Sequence, residues 1–441
     1  MTSVFYRQPK HRYPCVTRGE GVYLYDADGR RYLDGSGGAA VSALGHNHPR
    51  VLAAMRAQLE RCAFAHTAFF TSEPQEQLAS MLARRFPETG ARSYFVSGGS
   101  EANEAAIKLA RQYWMARGAG KKKLFVSREQ SYHGNTLGAL ALSGNPGRRQ
   151  LFAPLLMDWP KVLPCYEYRH RRARESAAEY GRRAAGSLLE AIREHGAENI
   201  AGFVAETIVG ATLGVVPAVA GYWREIADIC RRHRILLILD EVMAGCGRSG
   251  TYFAFEQEQV VPDIVTVAKG LGGGYQPIGA VIARADIVDT VVDEFGHFSH
   301  GHTYVGHPTA CAAAVAVGQV IDDDGLLENV RSMGALLRER LAAALCDHPH
   351  VGDIRGRGLF VGIELVTDRA TNGAPRAELG LPQRLRDDAM RHGLICYPGG
   401  GSADGQNGAH ILLAPPFIYS SDNVDELVMR LGRVLDGLRL G

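Results

Sequence analysis

Four short apolar runs in this chain each end on a polar residue or a loop rich in Gly, Asp or Ser. Each is followed by a segment of helical periodicity, and this succession constrains the fold more than any other feature. Ile235 to Leu239 is the clearest case. It is aliphatic and β-branched in character, too short for a buried helix, preceded by the charged amphipathic stretch Tyr222 to Arg234 and followed by Asp240-Glu241 and a Gly/Arg loop. Gly202 to Ala205 before Glu206, Ile264 to Ala268 before Lys269, and Lys123 to Val126 before the Ser127 to Gly134 loop repeat the form. The alternation predicts an α/β fold, a mostly parallel sheet covered by helices on both faces. Ligands of such sheets bind beyond the carboxyl ends of the strands, where these polar residues stand.

Around that unit the pattern changes. Val22 to Leu33 reads as a hairpin turning at Asp28-Gly29. Past about residue 320 the helix-like stretches Leu326 to Leu345 and Leu381 to His392 surround the short strands Gly358 to Leu365 and Ile411 to Leu413, a smaller α+β unit against which the N-terminal hairpin is expected to pack. A chain of 441 residues can bury such a core without covalent staples. Its 49 Lys and Arg nearly balance 47 Asp and Glu, so nothing global favours nucleic acid or an anionic membrane as partner. The basic run Arg169 to Arg183 lacks interleaved aromatics and reads as a solvated helix face. The eight cysteines are dispersed, no apolar stretch is long enough to cross a bilayer, and Met1 to Cys15 contains no apolar signal core, so a cytoplasmic protein is expected. Glycine, at 52 residues, runs well above its usual share of roughly 7% and clusters at Gly98-Gly99, Gly272-Gly273-Gly274 and Gly399-Gly400-Gly401, which implies close backbone approach to something.

The strand ends carry the chemistry. Lys269 sits between an apolar strand and Gly270-Leu271-Gly272-Gly273-Gly274. Loss of hydration there suits a Schiff base with a carbonyl compound, the alternative being a surface lysine after a strand. Asp240 closes a strand expected to be buried on both faces and needs a cation or several hydrogen-bond donors. The protonated ring nitrogen of a pyridoxal cofactor, a salt bridge to an arginine such as Arg248, and a metal all meet that need. The loop Ser97 to Glu104 opens a helix-like run, Ala105 to Tyr113. Its glycines and Ser100 can surround a phosphate with free N–H groups, although Ser100 as a plain N-cap explains part of the pattern. Tyr132, in Ser131-Tyr132-His133-Gly134, can stack on a flat ring or pack at the core edge. The histidines His46, His48, His297, His300, His302 and His307 match no metal-ligand spacing, so no metal site is expected.

Taken together, Pro262 to Gly270 around Lys269, Leu239-Asp240-Glu241-Val242, and the Ser97 to Asn103 loop resemble the class III pyridoxal-phosphate aminotransferases of fold type I. The likeness runs from Gly45-His46-Asn47-His48-Pro49 through Gly301 to Pro308 to Ala414-Pro415-Pro416. It implies a large domain (residues 61–320) with a mostly parallel seven-stranded sheet, and a small α+β domain built from both termini (1–60 and 321–441). It implies pyridoxal 5′-phosphate (PLP) as cofactor and a homodimer, extending in some cases to a tetramer. By the same resemblance Lys269 forms the Schiff base and shuttles a proton, and Asp240 holds the pyridinium proton. Tyr132 and Val242 cover the two ring faces, Gly99 and Ser100 bind the phosphate, and His133 and Glu206 lie beside the cofactor. Thr303 reaches the phosphate of the neighbouring subunit.

Two departures bear on substrate. Relatives that use 2-oxoglutarate commonly pair a glutamate with an arginine at the positions held here by Ala211 and Leu412, and His392 to Met429 contains no Arg or Lys. Without that guanidinium a dicarboxylate loses its strongest contact. The pattern then resembles ω-aminotransferases, which take an amine or ω-amino acid as donor and a 2-oxo acid, pyruvate, as acceptor in ping-pong fashion. Arg355, or an arginine of a partner chain, is left to meet a substrate carboxylate. The alternative is a PLP-dependent aminomutase or racemase on the same scaffold.

Overall fold

The seven-stranded sheet at the centre of the molecule is built from the apolar runs. The structure, a computed structural model, describes residues 2–440; Met1 and Gly441, at the ends of the expected segments 1–60 and 321–441, lie outside the described residues. Across the sheet the strands are Arg92–Val96, Gly279–Ala283, Ile264–Val267, Leu236–Asp240, Ile200–Glu206, Leu124–Arg128 and Lys161–Val162. All pairings are parallel except those of Gly279–Ala283, which runs against both neighbours. The alternation of side chains along each strand feeds two cores. Leu237, Leu239, Phe203 and Ala205 pack under helices Ala177–His195 and Tyr222–His233, while Leu236, Ile238, Ala201 and Val204 pack under helix Gly99–Ala116. Both faces being covered is why these strands read as continuous apolar runs.

Register then sets the site. Asp240 lies opposite Glu206 on one side and Thr266 on the other, so residues at the carboxyl ends of three central strands form one polar layer.

A further core joins the two ends of the chain. Leu33 and Val51 pack with Leu337, Leu341, Ile363, Leu385, Leu413 and Leu431. The hairpin strands Tyr23–Asp26 and Arg31–Asp34 form, Leu394–Ile395 pairs in parallel with the second, and the Tyr23 hydroxyl donates to Glu426 at 2.6 Å. A second sheet in the order Val351–Arg357, Phe360–Leu365, Ala409–Leu413, Tyr397–Gly400 completes this part.

The run Arg169 to Arg183 departs from expectation. It is broken between a single turn, Glu167–His170, and the helix Ala177–His195, because Ser176 and Glu179 form a capping box that starts a new helix. Arg171, Arg172, Arg174 and Arg182 are exposed, as expected of a solvated face, but Arg169 and Arg183 are drawn out of it. Arg169 pairs with the fully buried Glu364 at 2.7 Å, and Arg183 pairs with Glu175 at 2.7 Å. Among the described residues no helix is long and apolar enough to cross a membrane, and no group of His, Cys, Asp and Glu is placed to hold a metal ion.

Candidate active site

A cleft of about 360 Å³ opens at the carboxyl edge of the sheet and is lined by Gly99, Ser100, Tyr132, His133, Glu206, Asp240, Val242 and Lys269 together. These are eight of the nine residues expected from sequence. Thr303 is the exception: it is exposed on the segment before helix Pro308–Asp323 and does not line this cleft.

Lys269 follows strand Ile264–Val267 in the left-handed region, at φ 46°, a conformation costly for a residue with a Cβ. Its Nζ donates to the carbonyl of Ala39 at 2.9 Å. Burial pushes the ammonium down to about 8, against the pull of Asp240 and Glu206. Neutral amine is thus abundant near pH 8, where an ordinary lysine is almost wholly protonated. In protein stripped of bound aldehyde, the rate at which Lys269 captures an aromatic aldehyde is expected to rise with pH and reach half its limit near pH 8. A profile still climbing steeply at pH 10 would contradict the desolvated environment.

Asp240 is held by three donors. The amide of Asn103 reaches Oδ2 at 2.9 Å, His133 Nδ1 reaches the same oxygen at 2.8 Å, and the Val242 N–H reaches Oδ1 at 3.0 Å. Two carboxylate oxygens offer about four lone-pair sites, so Oδ1 retains capacity for a further N–H. Arg248 does not supply it, since that guanidinium donates to the carbonyls of Leu359 and Pro415. Asn103 also donates to the His133 carbonyl at 2.7 Å and accepts from Thr266 Oγ1 at 3.0 Å. Its orienting role was not read from sequence, although its place one helical turn beyond Ser100 was the available signal.

The phosphate-type cradle is the start of helix Gly99–Ala116. The N–H groups of Gly99 and Ser100 meet no acceptor among the described residues, as expected of a first helical turn. Ser100 Oγ accepts from the Asn135 N–H at 3.0 Å. A Cβ on Gly99 would lie 2.8 Å from Val242 Cγ1, so only glycine lets the helix start approach the residue that walls the cleft. Gly134, at φ +140°, likewise leaves no room for a side chain against Ser100 Oγ, 2.4 Å from its would-be Cβ, and this ties the Tyr132-His133 loop to the helix start. Glu206 accepts from the N–H groups of Gly210 at 3.3 Å and Tyr132 at 3.4 Å, and its burial raises its carboxyl above the ordinary range.

Two residues bearing on a substrate carboxylate stand differently from expectation. Arg355 is committed elsewhere: it pairs with Glu364 at 2.7 Å and Asp353 at 3.0 Å and donates to the carbonyls of Leu213, Gly214 and Val215. Arg148, which sequence reading passed over, lines the cleft with its guanidinium 4.4 Å from the Tyr132 ring centroid. The arrangement can seat a flat ring between Tyr132 and Val242, an anion at the helix start, a ring N–H⁺ at Asp240 and a carbonyl carbon at Lys269.

Known proteins share this construction. The family model of class III aminotransferases matches residues 5–435. An uncharacterized aminotransferase of Schizosaccharomyces pombe is 42% identical over 98% of this chain and 94% of its own length. The chloroplastic gamma aminobutyrate transaminase 3 of Solanum lycopersicum is 36% identical over 95% and 80%. Among solved structures, a thermostable (S)-enantioselective omega-transaminase from Thermomicrobium roseum superposes with a TM-score of 0.91 at 36% identity, covering 98% of this chain and 96% of that one. The sheet with its one antiparallel strand is therefore the fold type I sheet of pyridoxal-phosphate enzymes, and the chain belongs to the class III aminotransferases.

Proposed function

We propose that the enzyme transfers the amino group of an amine or ω-amino acid to pyruvate, in two half-reactions of a ping-pong cycle, with PLP held in the cleft just described. One observation carries this reading. A lysine with a lowered basicity and a carboxylate with a spare acceptor site face one cleft whose walls are an aromatic ring and a valine and whose end is a bare helix N-terminus. The donor set fits PLP group by group, and the family is PLP-dependent.

Bound PLP supplies an electron sink for the pair left when the amine-bearing carbon loses its proton. This chain does the rest. Lys269 would anchor the cofactor's aldehyde carbon and, once displaced by the donor, would take the proton from the amine-bearing carbon and deliver it to that former aldehyde carbon on the other side of the nitrogen. Asp240 holds the proton on the ring nitrogen, with His133 and Asn103 fixing the carboxylate. Gly99 and Ser100 bind the phosphate, Tyr132 and Val242 fix the ring plane, and Glu206 buttresses the Tyr132 loop. Thr303, exposed beside Tyr304 and near the exposed Phe64, serves the phosphate of a second copy, which makes the working unit a homodimer. Pyruvate is the acceptor because its single carboxylate does not require the guanidinium that Leu412, fully buried here, fails to provide.

Donor amine alone should bleach the bound-cofactor absorbance, pyruvate alone should restore it, and the two together should yield alanine. Rearranged or racemised donor without alanine would replace transfer by isomerisation.

A further inference from the structure

The cleft does not end at Tyr132. Beside it lies a second cavity of about 420 Å³, and Arg7, Arg148, Ala211 and Tyr397 line both, so the two are continuous. Its lining includes three guanidiniums, Arg7, Arg148 and Arg386, and no carboxylate among the described residues. Arg169, Arg183 and Arg355 all have carboxylate partners, whereas no acidic partner is found for these three among the described residues. The acceptors of Arg386 are neutral amide oxygens, Gln8 at 3.4 Å and Gln383 at 3.1 Å.

Arg148 is placed rather than loose. The Asn145 side chain accepts from its N–H at 3.2 Å and starts the short turn Pro146–Arg149, and its guanidinium lies over Tyr132. Stacking uses the flat face of a guanidinium and leaves its N–H edge, with five donors, for a planar two-oxygen acceptor. No acceptor for that edge exists among the described residues. The cleft that holds Lys269 is also lined by Ile208, Met243 and Tyr397, surface suited to methylene groups.

We propose that this cavity is an anionic subsite, in which Arg148, with Arg7 and Arg386 adding to the field, holds the carboxylate at the far end of an amino donor. The proposal rests on the aminotransferase reading above and narrows it: the preferred donor is an ω-amino acid, a primary amine and a carboxylate joined by methylenes.

The test uses holoenzyme and the donor half-reaction alone, so that the carboxylate of an acceptor plays no part. The probes are 5-aminopentanoate and its neutral counterpart 5-aminopentan-1-ol, with pentanoate as a ligand that has no amine. Wild type should half-saturate with the amino acid at a concentration at least about tenfold below the alcohol, the range of a charge-assisted bidentate contact. Arg148→Gln should raise the amino acid's value roughly 10- to 100-fold, and at least about tenfold more than it raises the alcohol's. Arg386→Gln should raise it about two- to fivefold, more at low salt than at high, as a longer-range charge does. Calorimetry should show pentanoate binding to wild type and not to Arg148→Gln.

Equal use of acid and alcohol by wild type, or an equal rise for both in Arg148→Gln, would overturn the subsite. Should Arg148→Gln not fold, the salt-dependent loss in Arg386→Gln decides in its place. If no amine changes the cofactor absorbance, it is the aminotransferase reading that fails, while the pentanoate titration still judges the subsite on its own.

Discussion

Replacing Lys269 by alanine is expected to lower turnover by on the order of 10⁴-fold or more, because one amine both carries the covalent link to the cofactor and moves the proton. The variant should still fold. The only hydrogen bond the lysine side chain makes among the described residues is to the Ala39 carbonyl, and its desolvation is a cost to the folded state. The sign is definite. With the folded ammonium lowered to about 8 from an ordinary value of 10.5, the unfolded chain binds the proton more tightly between those pH values. Stability of the wild-type apoprotein relative to Lys269→Ala therefore rises as pH goes from 8 towards 10.5, and at pH 7 the variant melts at or above the wild type. Paired melts across that range check it. Activity near wild type in the variant would remove Lys269 from the chemistry altogether.

The part of this site legible in sequence is the part set by local pattern. Asp240, Glu206 and Lys269 each follow a short aliphatic run, and a parallel sheet places such positions at one edge whatever the surrounding detail. The helix start at Gly99 was legible for the same reason, since glycines ahead of a helical run expose N–H groups. What was not legible depends on contacts between distant segments. Arg148 lies in a polar loop with no periodicity, and only folding stacks it on Tyr132 and opens it to a cavity lined by residues from both ends of the chain. Arg169 looked like one member of a basic run, yet Glu364, buried in a strand far along the chain, draws it inward together with Arg355. That pairing answers the cost of burying Glu364, and by engaging Arg355 it leaves Arg148 and Arg7 as the guanidiniums that line the cleft. The direction of strand Gly279–Ala283 was hidden too, because an apolar strand covered on both faces reads alike in either sense.

Replacing Asp240 by asparagine should give the second-largest loss, about 10²- to 10⁴-fold in turnover, by a route distinguishable from that of Lys269. An amide is nearly isosteric with the carboxylate and can still accept from Asn103 or His133 through its oxygen. It cannot stabilise a proton on a ring nitrogen opposite, so the cofactor should bind and link to Lys269 while its ring stays neutral and draws electrons weakly. The expected signature is a bound-cofactor spectrum with proton abstraction slowed, seen as an enlarged isotope effect with donor deuterated at the amine-bearing carbon. Folding changes less. At Oδ2 the amide oxygen, with two lone pairs, can keep both donors though without the charge, and at Oδ1 its NH₂ would meet the Val242 N–H, so a loss of about 1–3 kcal/mol is expected. Asp240→Ala strips the acceptor from all three donors and should cost more stability than asparagine without a larger fall in rate per folded molecule. If Asp240→Asn instead retained full turnover, the carboxylate would be a structural acceptor for His133 and Asn103 alone, and the electronic role assigned to it would pass to no other acid in the cleft, since Glu206 is already turned to the Tyr132 loop.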